Sequence, residues 1–176
     1  APGKYNSKQI EEFINQFKSQ LEKSGEIFDL VEGEDISKYY WYENYKEMGG
    51  TLGNSCMAQK RDLFEIYTQN QQNRDHNSYH MTVINVMDCN RLSKEMGMAN
   101  FVKSVELAFE FPIEDIEMLG VGKASKNENT AYFVVCQSDS LDAVRTRFNL
   151  PKHDFHITLG FNTKDVFGVP KNEILM

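Results

Sequence analysis

Two short segments with the same order of residue types occur in the two halves of the chain. The first, residues 79–83, reads Tyr-His-Met-Thr-Val, and the second, residues 155–159, reads Phe-His-Ile-Thr-Leu. Successive side chains on a β-strand point to opposite faces, so each histidine shares a face with the threonine two positions later. Each segment is therefore expected to bury its apolar residues on one side and to present an imidazole and a hydroxyl on the other.

If these two strands lie side by side about a pseudo-twofold axis, four polar side chains converge in one cleft, namely His80, Thr82, His156 and Thr158. Histidine titrates near neutral pH, so one imidazole can accept a proton while the other donates one. In-line displacement at phosphorus needs such a pair, because one group deprotonates the incoming water or hydroxyl and the other protonates the leaving oxygen. The threonine hydroxyls can donate hydrogen bonds to the non-bridging phosphate oxygens. This chemistry requires no metal and no cofactor, so neither is expected.

The doubled His-x-Thr pattern resembles the two-histidine phosphoesterase superfamily, which includes RNA 2′,5′-ligase-like proteins and cyclic phosphodiesterases. The similarity extends over residues 63–168 and includes the stretch 117–125. The run 155–169 is similar to a branch described as RNA-repair-like. The resemblance is weak over residues 1–60, which are expected to be an extension or a decorated first lobe within a single two-lobed domain covering 1–176.

The resemblance implies an α+β fold of two pseudo-symmetric lobes, whose antiparallel sheets form a central cleft and whose helices lie on the outside. It also implies a metal-independent phosphodiesterase that opens 2′,3′-cyclic phosphates of nucleotides or RNA ends. By match to the motif, His80 and His156 would be the acid and the base, in an order that the sequence leaves open, and Thr82 and Thr158 would bind the phosphate. The expected partners are a nucleotide or RNA-end substrate and other domains of a longer RNA-processing protein, if the chain is part of one.

Other substrates fit the same four residues, including 2′,5′-oligoadenylates, ADP-ribose cyclic phosphate and cyclic oligonucleotide signals. A non-catalytic module that binds nucleotides or RNA ends is the alternative from a different class of function. Binding alone needs no acid–base pair, so the complete set of two histidines and two threonines favours catalysis.

Three residues outside the motifs are candidates for substrate binding. Lys123 stands near a turn after a Gly-x-Gly and could meet a phosphate, although a solvated hairpin lysine is the commoner case. Arg145 is expected on a helix, where it either covers apolar surface or binds phosphate. Trp41 could stack on a base or anchor an aromatic-rich loop. Some relatives carry a basic residue just after the second motif, whereas this chain has Gly160 there, and Gly160 is expected to face the cleft.

All four histidines lie near the two motifs, at His76, His80, His153 and His156. This clustering raises the alternative of a zinc site, because zinc binds imidazole nitrogens. Strand geometry opposes it, since positions three apart face opposite sides and His153 reaches the cleft with His156 only if it lies in the preceding turn. No cysteine, aspartate or glutamate is placed as an obvious further ligand. His76 and His153 are therefore expected to be loop residues, and no metal site is expected.

The composition excludes several classes of function. The 176 residues are 40% hydrophobic, and 19 basic against 26 acidic residues give a net charge of −7, which disfavours a protein that coats long nucleic acid. No apolar run approaches the roughly 20 residues that span a bilayer, so no membrane partner is expected. The three cysteines, Cys56, Cys89 and Cys136, are widely spaced and lack a CxxC pair. A reducing compartment, either the cytoplasm or the nucleus, is the simpler interpretation.

Local sequence patterns predict the elements that must position the motifs. Helices are expected over 7–23, 91–101 and 139–149. Strands are expected over 26–31, 63–68, 79–88, 116–123, 131–136 and 154–161, with loops over 33–60 and 69–78. Residues 105–109 alternate like a strand, in a stretch whose pattern is ambiguous. This mixture of helices and strands predicts α+β or α/β packing.

Overall fold

Helices and antiparallel strands are mixed along the part of the chain that the computed structural model describes, residues 4–5, 7–23 and 63–175. The strands are β1 (Lys4–Tyr5), β2 (Tyr79–His80), β3 (Glu117–Lys126), β4 (Asn129–Gln137) and β5 (His156–Phe161). The helices are α1 (Glu11–Lys23), α2 (Leu63–Arg74), α3 (Val86–Met96), α4 (Met98–Ala108) and α5 (Asp139–Arg147). The arrangement is of the α+β class, as predicted. The strand predicted over 26–31, the loop predicted over 33–60 and Trp41 lie outside the described residues.

The described strands are all antiparallel to their neighbours. Strands β3, β4 and β5 form a three-stranded sheet in that order, and β1 pairs with β2. An isolated antiparallel bridge between Met81, which follows β2, and Ile157 in β5 joins the two groups. The spatial order is therefore β1, β2, β5, β4, β3, and the two His-x-Thr segments lie next to each other.

The main core lies between one face of the sheet and the helices. Phe17 of α1 packs its ring 4.9 Å from that of Tyr132 in β4 and 5.2 Å from that of Phe64 in α2. Farther along, Phe148 after α5 meets Phe101 of α4 edge to face at 6.0 Å. The opposite face carries a smaller apolar cluster, formed by Ala124, Ala131, Phe133, Val135, Phe161 and Val166. The rest of that second face carries the polar side chains of β5, His156 and Thr158.

Helix α2 covers the predicted strand 63–68 and the first part of the predicted loop 69–78, so the strand prediction is wrong, whereas residues 75–78 after the helix are a loop as predicted. Its buried stripe contains the amides Asn70 and Gln71, which hydropathy does not register as core positions. The Nδ2 of Asn70 donates to the carbonyls of Phe161 and Asn162 at 2.9 and 2.8 Å, and Gln71 Nε2 donates to the carbonyl of Ser78 at 2.9 Å. These hydrogen bonds offset part of the cost of burying the amides, which share the packed face of the helix with the apolar Ile66 and Tyr67.

The strand predicted over 79–88 is shorter than expected, because helix α3 begins at Val86. Asn85 is its N-cap, and its Oδ1 accepts a hydrogen bond from the backbone N–H of Asp88 at 2.8 Å. The strand suggested by the alternation at 105–109 is also wrong, since α4 continues to Ala108. The predicted helices 7–23 and 139–149 and the predicted strands 116–123, 131–136 and 154–161 are confirmed within a few residues of their ends, as α1, α5, β3, β4 and β5.

None of the helices among the described residues has both the length and the apolar character that crossing a membrane requires.

A β-bulge in β5 changes which way Gly160 points. Tyr132 pairs with Gly160 and Phe133 pairs with Thr158, so Leu159 is an extra residue in β5. Gly160 therefore faces the helices, and the prediction that it faces the cleft is wrong. A Cβ at this position would lie 2.8 Å from the carbonyl oxygen of Tyr67, which only glycine avoids.

We predict that Gly160→Ala lowers the free energy of unfolding by about 1–3 kcal/mol, because the new methyl group forces α2 away from β5. Urea denaturation followed by far-UV circular dichroism measures the change. Lys103→Ala, at an exposed position of α4, is the matched control and is expected to stay within about 0.5 kcal/mol of the wild type. Equal midpoints for the two variants would contradict the close approach of α2 to β5.

Candidate active site

The bridge between Met81 and Ile157 fixes the relative placement of the two His-x-Thr segments. Continuing the antiparallel register by one residue sets His80 opposite Thr158 on one side and Thr82 opposite His156 on the other. Directly opposed residues on one face have Cβ atoms about 4.5–5.5 Å apart. All four side chains line one pocket of about 740 Å³. The structure thus brings together the four residues that the sequence singled out.

The alternating pattern predicted for the two segments is present. Tyr79, Met81 and Val83 are buried in the main core, and so are Phe155, Ile157 and Leu159. His80 and Thr82 are half-buried on the pocket side. Burial of three apolar side chains per segment, each worth about 1.5–3 kcal/mol, holds the polar pair on the opposite face.

His156 has a defined tautomer. Its Nδ1 lies 2.7 Å from the backbone carbonyl oxygen of Asp154. A carbonyl oxygen only accepts, so Nδ1 carries the hydrogen and the lone pair of the neutral ring lies on Nε2. Burial, with further contributions from the Lys171 ammonium and from His153, lowers the pKa of His156 to about 4. At neutral pH this imidazole is a proton acceptor.

A charged network that the sequence did not predict lies beside Thr158. The Thr158 hydroxyl donates to Asp165 Oδ2 at 3.4 Å, and Lys171 Nζ lies 3.2 Å from Asp165 Oδ1. Arg74 at the end of α2 donates to the same carboxylate and also pairs with Asp75. Burial alone would raise the pKa of Asp165, but Lys171 and Arg74 lower it overall.

Arg74 and Lys171 line the pocket and bring positive charge to it, and Asp165, which also lines the pocket, pairs with both. No local pattern identifies them, because Arg74 ends a segment rich in Asn and Gln and Lys171 follows a proline. Only the tertiary fold brings Arg74 to the carboxylate of Asp165, 91 residues away along the chain, where Lys171, six residues beyond Asp165, also binds.

Two of the three additional substrate-binding candidates, Lys123 and Arg145, do not reach this pocket. Lys123 is exposed on β3, with its Nζ 5.6 Å from the centre of the Tyr132 ring on the helix-facing side of the sheet. Arg145 is buried and donates Nε to the carbonyl of Pro151 at 2.8 Å and Nη1 to that of Val83 at 2.7 Å. Both guanidinium contacts are with backbone, so Arg145 joins the end of the first motif to the segment preceding the second.

His76 lies in the turn after α2, as predicted. His153 precedes β5, and from there it lines the same pocket as His156, with the two ring centres 6.1 Å apart. In the chain segments covered by the structure, no three His, Cys, Asp or Glu side chains form a group that could hold a metal ion.

Comparison with family models identifies the class of protein. Residues 54–167 match the family described as Swiss Army Knife, 2H phosphoesterase domain. The match covers more than half of the chain, so the protein belongs to this family of two-histidine phosphoesterases, and phosphodiester hydrolysis is the reaction class it indicates. No curated protein and no solved structure matches the chain. The superfamily predicted from the doubled motif is confirmed, whereas the RNA-repair-like branch stays a prediction.

We predict that Arg145→Met lowers the free energy of unfolding by about 2–4 kcal/mol, because two buried carbonyl groups lose their charged donor. Thermal and urea denaturation measure the effect. Arg147→Met, on an exposed position of the same helix, is the control and should change stability by less than about 0.5 kcal/mol. A wild-type denaturation midpoint for Arg145→Met would show that the two hydrogen bonds from Arg145 to backbone carbonyls contribute nothing to stability.

Proposed function

We propose that this protein is a metal-independent phosphodiesterase that opens 2′,3′-cyclic phosphates of nucleotides or RNA ends. The observation that carries the proposal is the convergence of both His-x-Thr pairs on one pocket. Membership of the 2H phosphoesterase family supports the reaction class. The relation between the two segments about the Met81–Ile157 bridge supports two pseudo-symmetric halves, with the cleft between the motifs they contribute.

In this proposal His156 is the general base. Its Nε2 lone pair takes a proton from water, and the water oxygen forms a new bond to phosphorus. The bond from phosphorus to the 2′ or 3′ oxygen breaks, and His80 donates its proton to that leaving oxygen. Thr82 and Thr158 donate hydrogen bonds to the non-bridging oxygens, for which the Thr158 hydroxyl turns away from Asp165. One turnover adds a proton to His156 and removes one from His80. The resting state returns when His156 releases its proton to solvent and His80 takes one up.

The charge of the pocket supports a phosphodiester with a single negative charge. Among the described lining residues, the cations Arg74, Lys152 and Lys171 are balanced by three aspartates, Asp75, Asp154 and Asp165. A lining without net charge offers little attraction for additional phosphates. It therefore favours a cyclic mononucleotide over ADP-ribose cyclic phosphate, which carries a pyrophosphate as well.

The cysteines support a reducing compartment for this activity, either the cytoplasm or the nucleus. Cys89 and Cys136 are both free thiols. Burial raises the pKa of Cys136 to about 12, so this thiol stays protonated and unreactive.

We predict that His80→Ala and His156→Ala each reduce kcat on 2′,3′-cyclic mononucleotides by about 10²–10⁴-fold, because each removes one proton-transfer group. Product formation is followed by chromatography, and the wild type is expected to keep its full rate in EDTA. His76→Asn is the matched control, since His76 is exposed, lies outside the pocket and has a left-handed backbone that asparagine tolerates. A wild-type rate in either histidine variant would reject the site, and inactivation by EDTA would reject the mechanism.

Phe167 is the residue on the pocket rim best placed to meet a nucleobase. Its side chain is 72% exposed, whereas Val166 and Lys171, which flank it, are 2% and 5% exposed. The segment between Val166 and Lys171 is thus anchored at both ends, while the ring of Phe167 faces solvent at the pocket. An exposed aromatic ring held in this way provides a surface on which a base can stack.

We predict that Phe167→Ala raises KM for 2′,3′-cyclic nucleotides by about fivefold or more with little change in kcat, because base stacking contributes about 1–3 kcal/mol. Glycerol 1,2-cyclic phosphate, which has no base, is the matched control substrate and should show the same KM with both enzymes. An equal rise in KM for both substrates would mean that Phe167 supports the shape of the pocket and does not bind the base.

A further inference from the structure

Asp154 connects His156 with Lys171. The backbone carbonyl of Asp154 accepts the hydrogen bond from His156 Nδ1 at 2.7 Å, and its carboxylate accepts one from the backbone N–H of Lys171 at 3.1 Å. The chain segment that carries Lys171 is therefore fixed by the same residue that sets the tautomer of His156.

The Lys171 ammonium group lies on the same face of the sheet as His156. Its Nζ is 5.5 Å from the centre of the Phe133 ring, and the edge-to-face contact of that ring with His156 has a centre-to-centre distance of 5.7 Å. Lys171 is 5% exposed and is held by Asp165, whose side chain is equally buried. Since both partners are shielded from water, the interaction of this ammonium with its neighbours is screened less than at the surface.

The charged and titratable groups around His156 come from several elements. The segment before β5 supplies Lys152, His153 and Asp154, the segment after it supplies Asp165 and Lys171, the end of α2 supplies Arg74 and Asp75, and β2 supplies His80. Phe133 on β4 is uncharged. Of these groups Lys171 makes the largest electrostatic contribution to the lowered pKa of His156, and Asp165 opposes it.

We propose that Lys171, fixed by Asp165, is a positioning residue that keeps the His156 imidazole unprotonated and so extends the range in which it can accept a proton toward acidic pH. The inference rests on the proposed role of His156 as general base. Lys171 contacts neither the proton that His156 accepts nor the proton that His80 donates. It acts through its fixed positive charge, which opposes a second positive charge on the neighbouring ring.

Removing the charge of Lys171 and removing the charge of Asp165 are expected to change the protonation of His156 differently, so the two variants together test the proposal. In Lys171→Met the cation is lost and Asp165 keeps its charge beside His156, so protonation of His156 becomes easier. In Asp165→Asn the opposing carboxylate is lost and the cation remains, so protonation becomes no easier. Lys171→Arg keeps a cation at the position and is the conservative control.

NMR titration of the His156 ring signals in the intact chain measures this directly, whether or not turnover is observed. In Lys171→Met we expect the midpoint to move to higher pH by about one unit. We expect Lys171→Arg to titrate like the wild type, and Asp165→Asn to titrate at or below the wild-type midpoint. An unchanged midpoint in Lys171→Met, or upward shifts of the same size in Lys171→Met and Asp165→Asn, would overturn the proposal.

The rate profile of kcat/KM against pH links the titration to catalysis. If His156 is the base, Lys171→Met should retain most of its rate at pH 7.5 and lose about twofold more than the wild type at pH 5. A uniform loss at every pH would indicate loosened packing and would contradict the positioning role. A shifted titration midpoint without any detectable activity would support the role of Lys171 and reject the proposed phosphodiesterase function.

Discussion

The pocket depends on the antiparallel contact between Met81 and Ile157. Each is the central residue of its His-x-Thr segment, and each is fully buried. A slip of one residue in this pairing would turn an imidazole into the apolar core and expose an apolar side chain, so hydrophobic burial fixes the register. Because the register is fixed, the histidine of each segment stands opposite the threonine of the other.

A second set of contacts ties together the chain segments that flank this bridge. Arg145 joins the residue after the first motif to the loop before the second through two backbone carbonyls. Asp165 joins β5, the end of α2 and the segment of Lys171 through one carboxylate. The first of these contacts joins residues directly next to the pocket-lining Thr82 and Lys152, and the second lies within the pocket. Buried charge in this protein therefore serves to hold separate segments in place as well as to set the electrostatics of the site.

The two halves of the proposed acid–base pair differ in their surroundings. Both rings are half-buried, but His156 packs against Phe133 and has its tautomer set by Asp154 within the strand β5, whereas His80 lies at the end of a two-residue strand. The symmetry that the repeated motif suggests in the sequence is therefore not carried through to the environment of the rings. This asymmetry is what allows the two imidazoles to be assigned different roles.

Sequence reasoning succeeded where side-chain patterns were local and failed where tertiary contacts overrode them. The hairpin of β3 and β4 and helix α5 followed from alternation, turn residues and helical spacing. Helix α2 was missed because its buried stripe includes Asn70 and Gln71, whose partners lie in distant segments. The direction of Gly160 was missed because the bulge at Leu159 depends on pairing with β4, which alternation along one strand does not reveal.

The sequence by itself determined the family, the α+β class and the four polar side chains of the site, because the doubled His-x-Thr pattern is written in local residue order. Only the tertiary structure decided that Arg145 and Lys123 stay out of the pocket, and that Arg74, Asp165 and Lys171 meet beside Thr158. It also decided which imidazole is held neutral. The physical reason is that burial and electrostatic environment arise from residues brought together in space, and their separation along the chain carries no trace of that proximity.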